Sequence, residues 1–327
     1  MYGSRNDVRG INMISIKSLR GRDILSIADL SRDELRSLID LSFKIKELYY
    51  NGIKFLNVLN GKTVALIFEK HSTRTRVSLQ VALHQLGGSS LYLSAQELQL
   101  ARGEPIKDTA RVLERYVDGI VARVYSHRSL VELAEYAKIP VVNALSDVEH
   151  PLQALADVMT IIELKKDLKK LKIAFFGDGR DNVAHSLMLA VAMLGGTIYI
   201  STPPGYDPDR EILRNALAYA NESGGYVTVV RDPVEAAKGA DVIYTDVWVS
   251  MGQENEREKR VKDLMKYQVN TELVSHAKSD YIFMHCLPAH RGEEVTEGVI
   301  ESKNSVVWIQ AENRLHTAKA VFASILI

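Results

Sequence analysis

The sequence predicts an α/β protein of two domains, each a mainly parallel sheet flanked by helices. Three observations carry that expectation. The chain has 327 residues, roughly two domains' worth, and 46% of them are hydrophobic, enough to fill two cores. Short β-branched runs alternate with helical patterns, the rhythm of βαβ units. One long apolar helical segment, ending in a charged run, divides those runs into two series.

The first series of candidate strands is Thr63–Phe68, Ser90–Leu93, Gly119–Val124 and Pro140–Leu145. After the first strand a helical pattern covers Val77–Leu86, and Gly87 and Gly88 supply its stop signal. The connector Gln153–Asp167 is apolar at helical spacing and runs into the charged stretch Glu163 to Lys170. The second series is Lys172–Phe176, Thr197–Ser201, Tyr226–Val230, Val242–Tyr244, Tyr281–His285 and Val306–Ile309. The apolar tail Ala320–Ile327 reads as a buried terminal helix. The expected domains are therefore 1–152 and 153–312, with a C-terminal helix over 313–327 packing back on the first.

Composition narrows the function. Lys plus Arg equals Asp plus Glu at 41 each, so the chain lacks the basic excess of a dedicated nucleic-acid or anionic-membrane binder. The single cysteine, Cys286, excludes an internal disulfide framework and a multi-thiolate zinc site, and fits a reducing cytosol. The opening MYGSRNDVRG shows no secretory leader, and the longest apolar stretch, Leu187–Leu194, is far short of the ~20 residues that cross a bilayer. A cytoplasmic protein with no metal, no nucleic acid and no membrane partner is expected.

Ligands of open α/β sheets bind at the carboxyl ends of strands, so the residues just after each run are the informative ones. Phe68 to Arg76 contains Ser72, Thr73, Arg74, Thr75 and Arg76 at the opening of a helix. Ser72 or Thr73 can cap it, and the free N–H groups, the dipole and two guanidinium groups together suit a phosphate. Gly177 to Asn182 begins like a dinucleotide fingerprint, but Asn182 stands at the third glycine position and no ribose-binding acid follows the next strand. A polar turn offering Asn182 to a small ligand competes there with a purely structural turn. His150, Pro151 and Gln153 sit at a loop-to-helix transition, where the imidazole can polarise a carbonyl and the amide can hold an amine or carbonyl. A structural histidine is the competing reading. Asp246 to Gly252 offers Asp246 to a cationic amine with Ser250 beside it, against an ordinary loop. His285 to Arg291 carries Cys286, readable as a nucleophile or as a small buried hydrophobe, and matches no standard zinc spacing. A phosphate cradle in one half and amide, acid and thiol groups in the other point to group transfer between two substrates.

Together these five segments closely resemble the aspartate/ornithine carbamoyltransferase family, in order from about Phe68 to Ala320. Ser72–Arg76 resembles its carbamoyl-phosphate signature, and His150–Gln153 its H-P-x-Q element. Asp246–Gly252 and His285–Pro288 resemble its two ornithine-side signatures. The resemblance implies transfer of the carbamoyl group of carbamoyl phosphate to the δ-amine of L-ornithine, giving citrulline and phosphate, a step of arginine metabolism, with no metal or organic cofactor. It places Ser72, Thr73, Arg74 and Thr75 on the phosphate, and Arg123, His150 and Thr75 on the carbonyl oxygen. Gln153 would hold the carbamoyl nitrogen with the backbone around Cys286 and Leu287, and Arg314 would close on the donor. Asn182, Asp246, Ser250 and Met251 would hold the amino-acid end of ornithine, with Cys286 beside the δ-amine and Asp246 helping to release its proton. Gln99 falls where the family uses a residue lent by a neighbouring subunit, which implies a homotrimer or a multiple of trimers. Asp181 stands where the family commonly has Asn. An aspartate-specific relative is disfavoured by Cys286. A putrescine enzyme would have no use for Asp246, Ser250 and Met251. An NAD-dependent oxidoreductase is weakened at Asn182, and a non-catalytic binding protein by the presence of Arg74 and His150.

Overall fold

The computed structural model describes residues 19–250, 252 and 254–327. Two all-parallel sheets organise the chain. The first, in the order β2-β1-β3-β4, is built from β1 (Thr63–Phe68), β2 (Ser89–Ser94), β3 (Gly119–Arg123) and β4 (Val141–Leu145). The second, in the order β7-β6-β5-β8-β9, uses β5 (Lys172–Phe176), β6 (Thr197–Ser201), β7 (Tyr226–Val230), β8 (Val242–Thr245) and β9 (Ile282–Met284). Each sheet starts near its centre, winds one way, then returns to the other side. The resulting switch points lie between β1 and β3 and between β5 and β8, and a crevice opens at the carboxyl ends there.

The helices over the first sheet are α1 (Arg32–Tyr50), α2 (Thr73–Gln85), α3 (Ile106–Leu113) and α4 (His127–Tyr136). Those of the second half are α6 (Asn182–Met193), α7 (Arg210–Ser223), α8 (Pro233–Ala237), α9 (Arg257–Leu264), α10 (Thr271–Val274) and α11 (Glu297–Ile300). α5 (Pro151–Lys165) and α12 (Val307–Ile325) pack on each other, and α12 also packs on α1 and α2. α5 is buried without a break from Pro151 to Ile161, the mark of a helix with protein on every side. α6 packs on it and is equally buried from Val183 to Met193, joining the two halves. Among the described residues no helix is long and apolar enough to cross a membrane.

The expected strands differ from these by a residue or two at their ends, with one substantive correction. Val306–Ile309 is not a strand. The chain touches the edge of β9 only briefly, where Phe283 N–H donates to Asn304 and Val306 N–H donates to Phe283, and then enters α12. From there residues such as Val307, Gln310 and Arg314 are buried at helical spacing, and packing against α5 overrides the β-branched composition. The terminal helix accordingly starts at Val307. α2 starts at Thr73 rather than Val77, because Ser72 Oγ accepts from Thr75 N–H at 3.3 Å and caps the extra turn. α5 starts at Pro151, whose missing N–H costs nothing in the first turn, and ends where Lys166 turns to φ 69°.

The join between β4 and α5 is set by one carboxylate. Glu149 is fully buried, and it accepts from the Ser26 hydroxyl, from Ile27 N–H at 3.1 Å and from the Ser186 hydroxyl at 2.9 Å. Ser186 in turn accepts from His150 N–H at 2.9 Å. Burial raises the Glu149 carboxyl above its ordinary value, while these donors oppose the shift. Removing the carboxylate strands three buried donors, so Glu149→Ala is expected to lower unfolding free energy by about 3 kcal/mol and Glu149→Gln by clearly less, as measured by denaturant titration.

Candidate active site

A cleft of about 560 Å³ lies where the carboxyl ends of the two sheets meet. On one side the N-terminus of α2 presents Ser72, Thr73, Arg74 and Thr75. Arg123 is the last residue of β3, and the β3–β4 pairing slips just before it, an irregularity that re-aims the final side chain. His150 is the N-cap of α5, and Arg314 reaches in from α12. On the other side stand Asn182 at the start of α6, Asp246 and Ser250 after β8, and Cys286 and Leu287 after β9. Twelve of the expected residues thus line one cleft.

Three others do not. Gln153 is fully buried behind Arg314, whose Nη1 donates to Gln153 Oε1 at 3.0 Å. Gln99 is exposed in a short 3-10 turn, away from the cleft of its own chain. Met251 lies outside the described residues. The expectation of paired guanidinium groups within the Ser72 motif needs correction. Arg76 stacks on the ring of Tyr92, 3.6 Å from its centroid, and does not line the cleft. On a helix of 100° per residue, positions two apart point to nearly opposite sides. Arg123 and Arg314 supply the further cations instead.

The wall at the start of α2 is strongly cationic. Among the described residues no carboxylate forms an ion pair with Arg74, Arg123 or Arg314. Arg314 bridges the neutral partners Gln153 and Thr75, its Nη2 donating to Thr75 Oγ1 at 2.9 Å. Burial, with Arg314 and Arg74 adding to it, holds Arg123 down to about 10, so it stays charged at neutral pH. His150 is 2% exposed, and burial followed by Arg314 and Arg123 pushes its imidazole well below the ordinary value. It is therefore a neutral ring, able to donate one hydrogen bond. Arg123 Nε and His150 Nδ1 are both buried without a partner, an arrangement that a bound polar group would complete.

The facing wall is acidic. Burial raises Asp246, and Cys286 Sγ donates to its Oδ1 at 3.1 Å. Burial and then Asp246 push the Cys286 thiol well above its ordinary value, so it is a protonated donor and not a thiolate. Asp181, singled out in the sequence only for its type, caps α6 at Val183 and Ala184 N–H and also lines the cleft. Its carboxyl is raised well above the usual range by burial and by Asp246 and Asp178. Lys70 and His71 line the cleft as well, and their place just before the Ser72 run was the signal that could have found them.

Behind Cys286, Leu287 takes a left-handed conformation at φ 61°, which costs a branched residue roughly 1–2 kcal/mol. Its N–H donates to His285 Nδ1 at 2.9 Å, and His285 Nε2 lies 3.2 Å from Glu294 Oε1. Asp246, His285 and Cys286 cluster closely enough to hold a metal ion, as do His290, Glu293 and Glu294. In the first cluster both His285 nitrogens and the thiol are already engaged within the protein. At the Gly177 turn, a Cβ on Gly179 would stand 2.6 Å from Tyr206 O and one on Gly177 3.2 Å from Trp248 Nε1. Those glycines let the chain pack on itself.

A cationic helix end and a neutral histidine facing an acid–thiol pair across two parallel sheets define a group-transfer enzyme. The chain belongs to the aspartate/ornithine carbamoyltransferase family: residues 22–163 match its carbamoyl-P binding domain and residues 169–325 its Asp/Orn binding domain. It is 58% identical over 283 residues to ornithine carbamoyltransferase of Staphylothermus marinus, covering 86% of this chain and 90% of that protein. Against the enzyme of Thermococcus kodakarensis the identity is 61% over 269 residues, 82% of this chain and 85% of the relative. The solved ornithine carbamoyltransferase from Pyrococcus furiosus superposes with a TM-score of 0.91 at 56% identity, over 94% of this chain and 98% of that one.

The raised thiol gives a direct test. Cys286 is the only cysteine, so alkylation by iodoacetamide reads it alone. Labelling at pH 8 is expected to be slower than for an unperturbed thiol, and Asp246→Asn, by removing the neighbouring charge, is expected to speed it severalfold.

Proposed function

We propose that this protein transfers the carbamoyl group of carbamoyl phosphate to the δ-amine of L-ornithine, giving L-citrulline and phosphate. The observation that carries the reading is the convergence of Arg74, Arg123 and Arg314 on the N-terminus of α2, with no carboxylate ion-paired to them among the described residues, opposite the Asp246–Cys286 pair. The first is built for a dianionic donor and the second for a cationic amine. In this reading residues 1–152, with the terminal helix folded back on them, bind carbamoyl phosphate, and residues 153–312 bind ornithine.

Ser72, Thr73, Arg74 and Thr75 hold the phosphate. The δ-nitrogen attacks the carbonyl carbon, the carbonyl oxygen gains negative charge, and the bond to the phosphate oxygen then breaks as the nitrogen's second proton passes to the departing phosphate. Arg123, the neutral His150 and Thr75 donate to that oxygen, while the backbone around Cys286 and Leu287 holds the carbamoyl nitrogen, and Arg314, backed by Gln153, closes on the donor. An amine of pKa about 10.4 must lose its proton before it can attack, and the raised Asp246 beside the Cys286 thiol is the acceptor on hand. Asn182, Asp246, Ser250 and Met251 read the α-carboxylate and α-amine. No metal or organic cofactor has a step in this chemistry. We further assign the enzyme to arginine metabolism in the cytoplasm, as a homotrimer or a multiple of trimers, supported by the lone free thiol and by the exposed Gln99, which does not line the cleft described above.

Colorimetric measurement of citrulline tests the activity: turnover is expected with ornithine, little with putrescine and none with aspartate. Arg74→Ala is expected to lose ~10²–10³-fold in kcat/KM for carbamoyl phosphate, the usual cost of one charged donor at such a site. Equal kcat/KM for ornithine and putrescine would sink the ornithine assignment and leave the carbamoyl transfer standing. For the assembly, mixing inactive Arg74→Ala subunits with inactive Gln99→Ala subunits is expected to restore part of the activity, since some shared sites then contain neither defect. No recovery after verified subunit exchange argues for self-contained sites.

A further inference from the structure

Asp157 sits one helical turn beyond Gln153 on α5 and is fully buried. Three side chains from three elements converge on it, and all of them donate. Gln153 Nε2 reaches Oδ1 at 2.8 Å, Gln310 Nε2 reaches the same oxygen at 2.7 Å, and the Tyr244 hydroxyl reaches Oδ2 at 3.0 Å. A side-chain amide has an acceptor end and a donor end, and an acceptor-only carboxylate decides which end turns toward it. With Nε2 drawn back to Asp157, the carbonyl oxygen of Gln153 is the end left for Arg314, at 3.0 Å. A flipped amide would set its NH₂ group against the guanidinium, donor against donor. Gln310 is fixed in the same way, with its Oε1 accepting from His285 N–H at 3.0 Å.

We infer that Asp157, outside the cleft and touching no substrate, is a positioning residue: it fixes the amide of Gln153 and, through it, the guanidinium of Arg314 at the carbamoyl-phosphate site. The inference deepens the proposed function and rests on the reading of that cleft as the donor site. The path is continuous: Asp157 holds Gln153, Gln153 holds Nη1 of Arg314, and Nη2 of Arg314 meets Thr75 at 2.9 Å beside the capped end of α2. Among these, only Arg314 and Thr75 line the cleft.

A double-mutant cycle tests it. Steady-state kinetics are measured for the wild type, Asp157→Leu, Gln153→Leu and the double variant. The assays run at pH 8, above the value of about 7 to which burial pushes the Asp157 carboxyl. Asp157→Leu is expected to lower kcat/KM for carbamoyl phosphate roughly 10- to 100-fold. In the Gln153→Leu background the same change is expected to cost less than about twofold, because the group it acts through is already gone. KM for ornithine should stay within about twofold throughout, which a general loosening of the core would not allow. Asp157→Asn keeps the side-chain volume and one acceptor oxygen, and covers the case in which Asp157→Leu does not fold. Its smaller loss is likewise expected to vanish once Gln153 is removed. Equal losses in both backgrounds, or an Asp157→Leu enzyme with wild-type kinetics, would overturn the positioning role alone. A Gln153→Leu enzyme with wild-type kinetics would overturn the placement of Gln153 at the donor site, and the inference with it.

Discussion

Like charge held without a counter-ion is the constraint on which the rest of this site depends. Arg74, Arg123 and Arg314 come from α2, β3 and α12; Arg314 and Arg74 add to the burial that disfavours the charged form of Arg123, and Arg74 does the same to Arg314. Left to itself such a cluster would splay into solvent. The fold opposes that with neutral acceptors: Thr75 and Gln153 each take one arm of Arg314. A hydroxyl and an amide carbonyl orient a guanidinium without neutralising it. The cations therefore remain available to a dianion, and binding one would relieve the repulsion among them. A ligand that does this binds the folded chain alone, and so stabilises it by mass action.

The opposite wall is built on the same logic with the sign reversed. Burial raises both Asp181 and Asp246, and Asp246 and Asp178 raise Asp181 further. Carboxylates in that state bind protons more readily than in water, as the proton acceptor of the proposed transfer must. Burial and then Asp246 keep the thiol of Cys286 protonated as well, and it donates a hydrogen bond to Asp246. His150 is kept neutral first by burial and then by the cations facing it. One cleft therefore holds a fixed cation cluster, a neutral donor and a proton-accepting acid side by side, each state set by its neighbours.

What was legible in the sequence is what is local. Ser72, His150, Asn182, Asp246 and Cys286 stand in the segments that follow strands, and parallel sheets bring such positions to one edge whatever the details of packing. Arg123 and Arg314 became visible only through family resemblance, because nothing local marks an arginine at the end of a strand or inside a helix. Arg76 misled because proximity in sequence is not proximity on a helix, where its neighbour but one faces away. Val306 to Ile309 misled because a β-branched run at a strand-like edge turned into the first turn of α12, a choice made by α5 on the far side. Asp157 carried no signal at all. A lone acid in an apolar helix acquires meaning only when Tyr244 and Gln310, 87 and 153 positions away, arrive beside it.

That last case explains why a core helix carries polar groups that an apolar core would do without. Gln153, Asp157 and Thr160 lie on one stripe of α5, facing Gln310, Asn313 and Arg314 of α12. Apolar side chains in those places would bury more cheaply and would tolerate sliding of one helix past the other. A polar set does not: a slip of one turn, about 5.4 Å, would leave several buried donors and acceptors unpaired at ~1–3 kcal/mol each. The stripe therefore sets the register of α12 against α5. His150 is the N-cap of α5 and Arg314 belongs to α12, so the register that satisfies the buried stripe is also the one that brings imidazole and guanidinium to the same cleft.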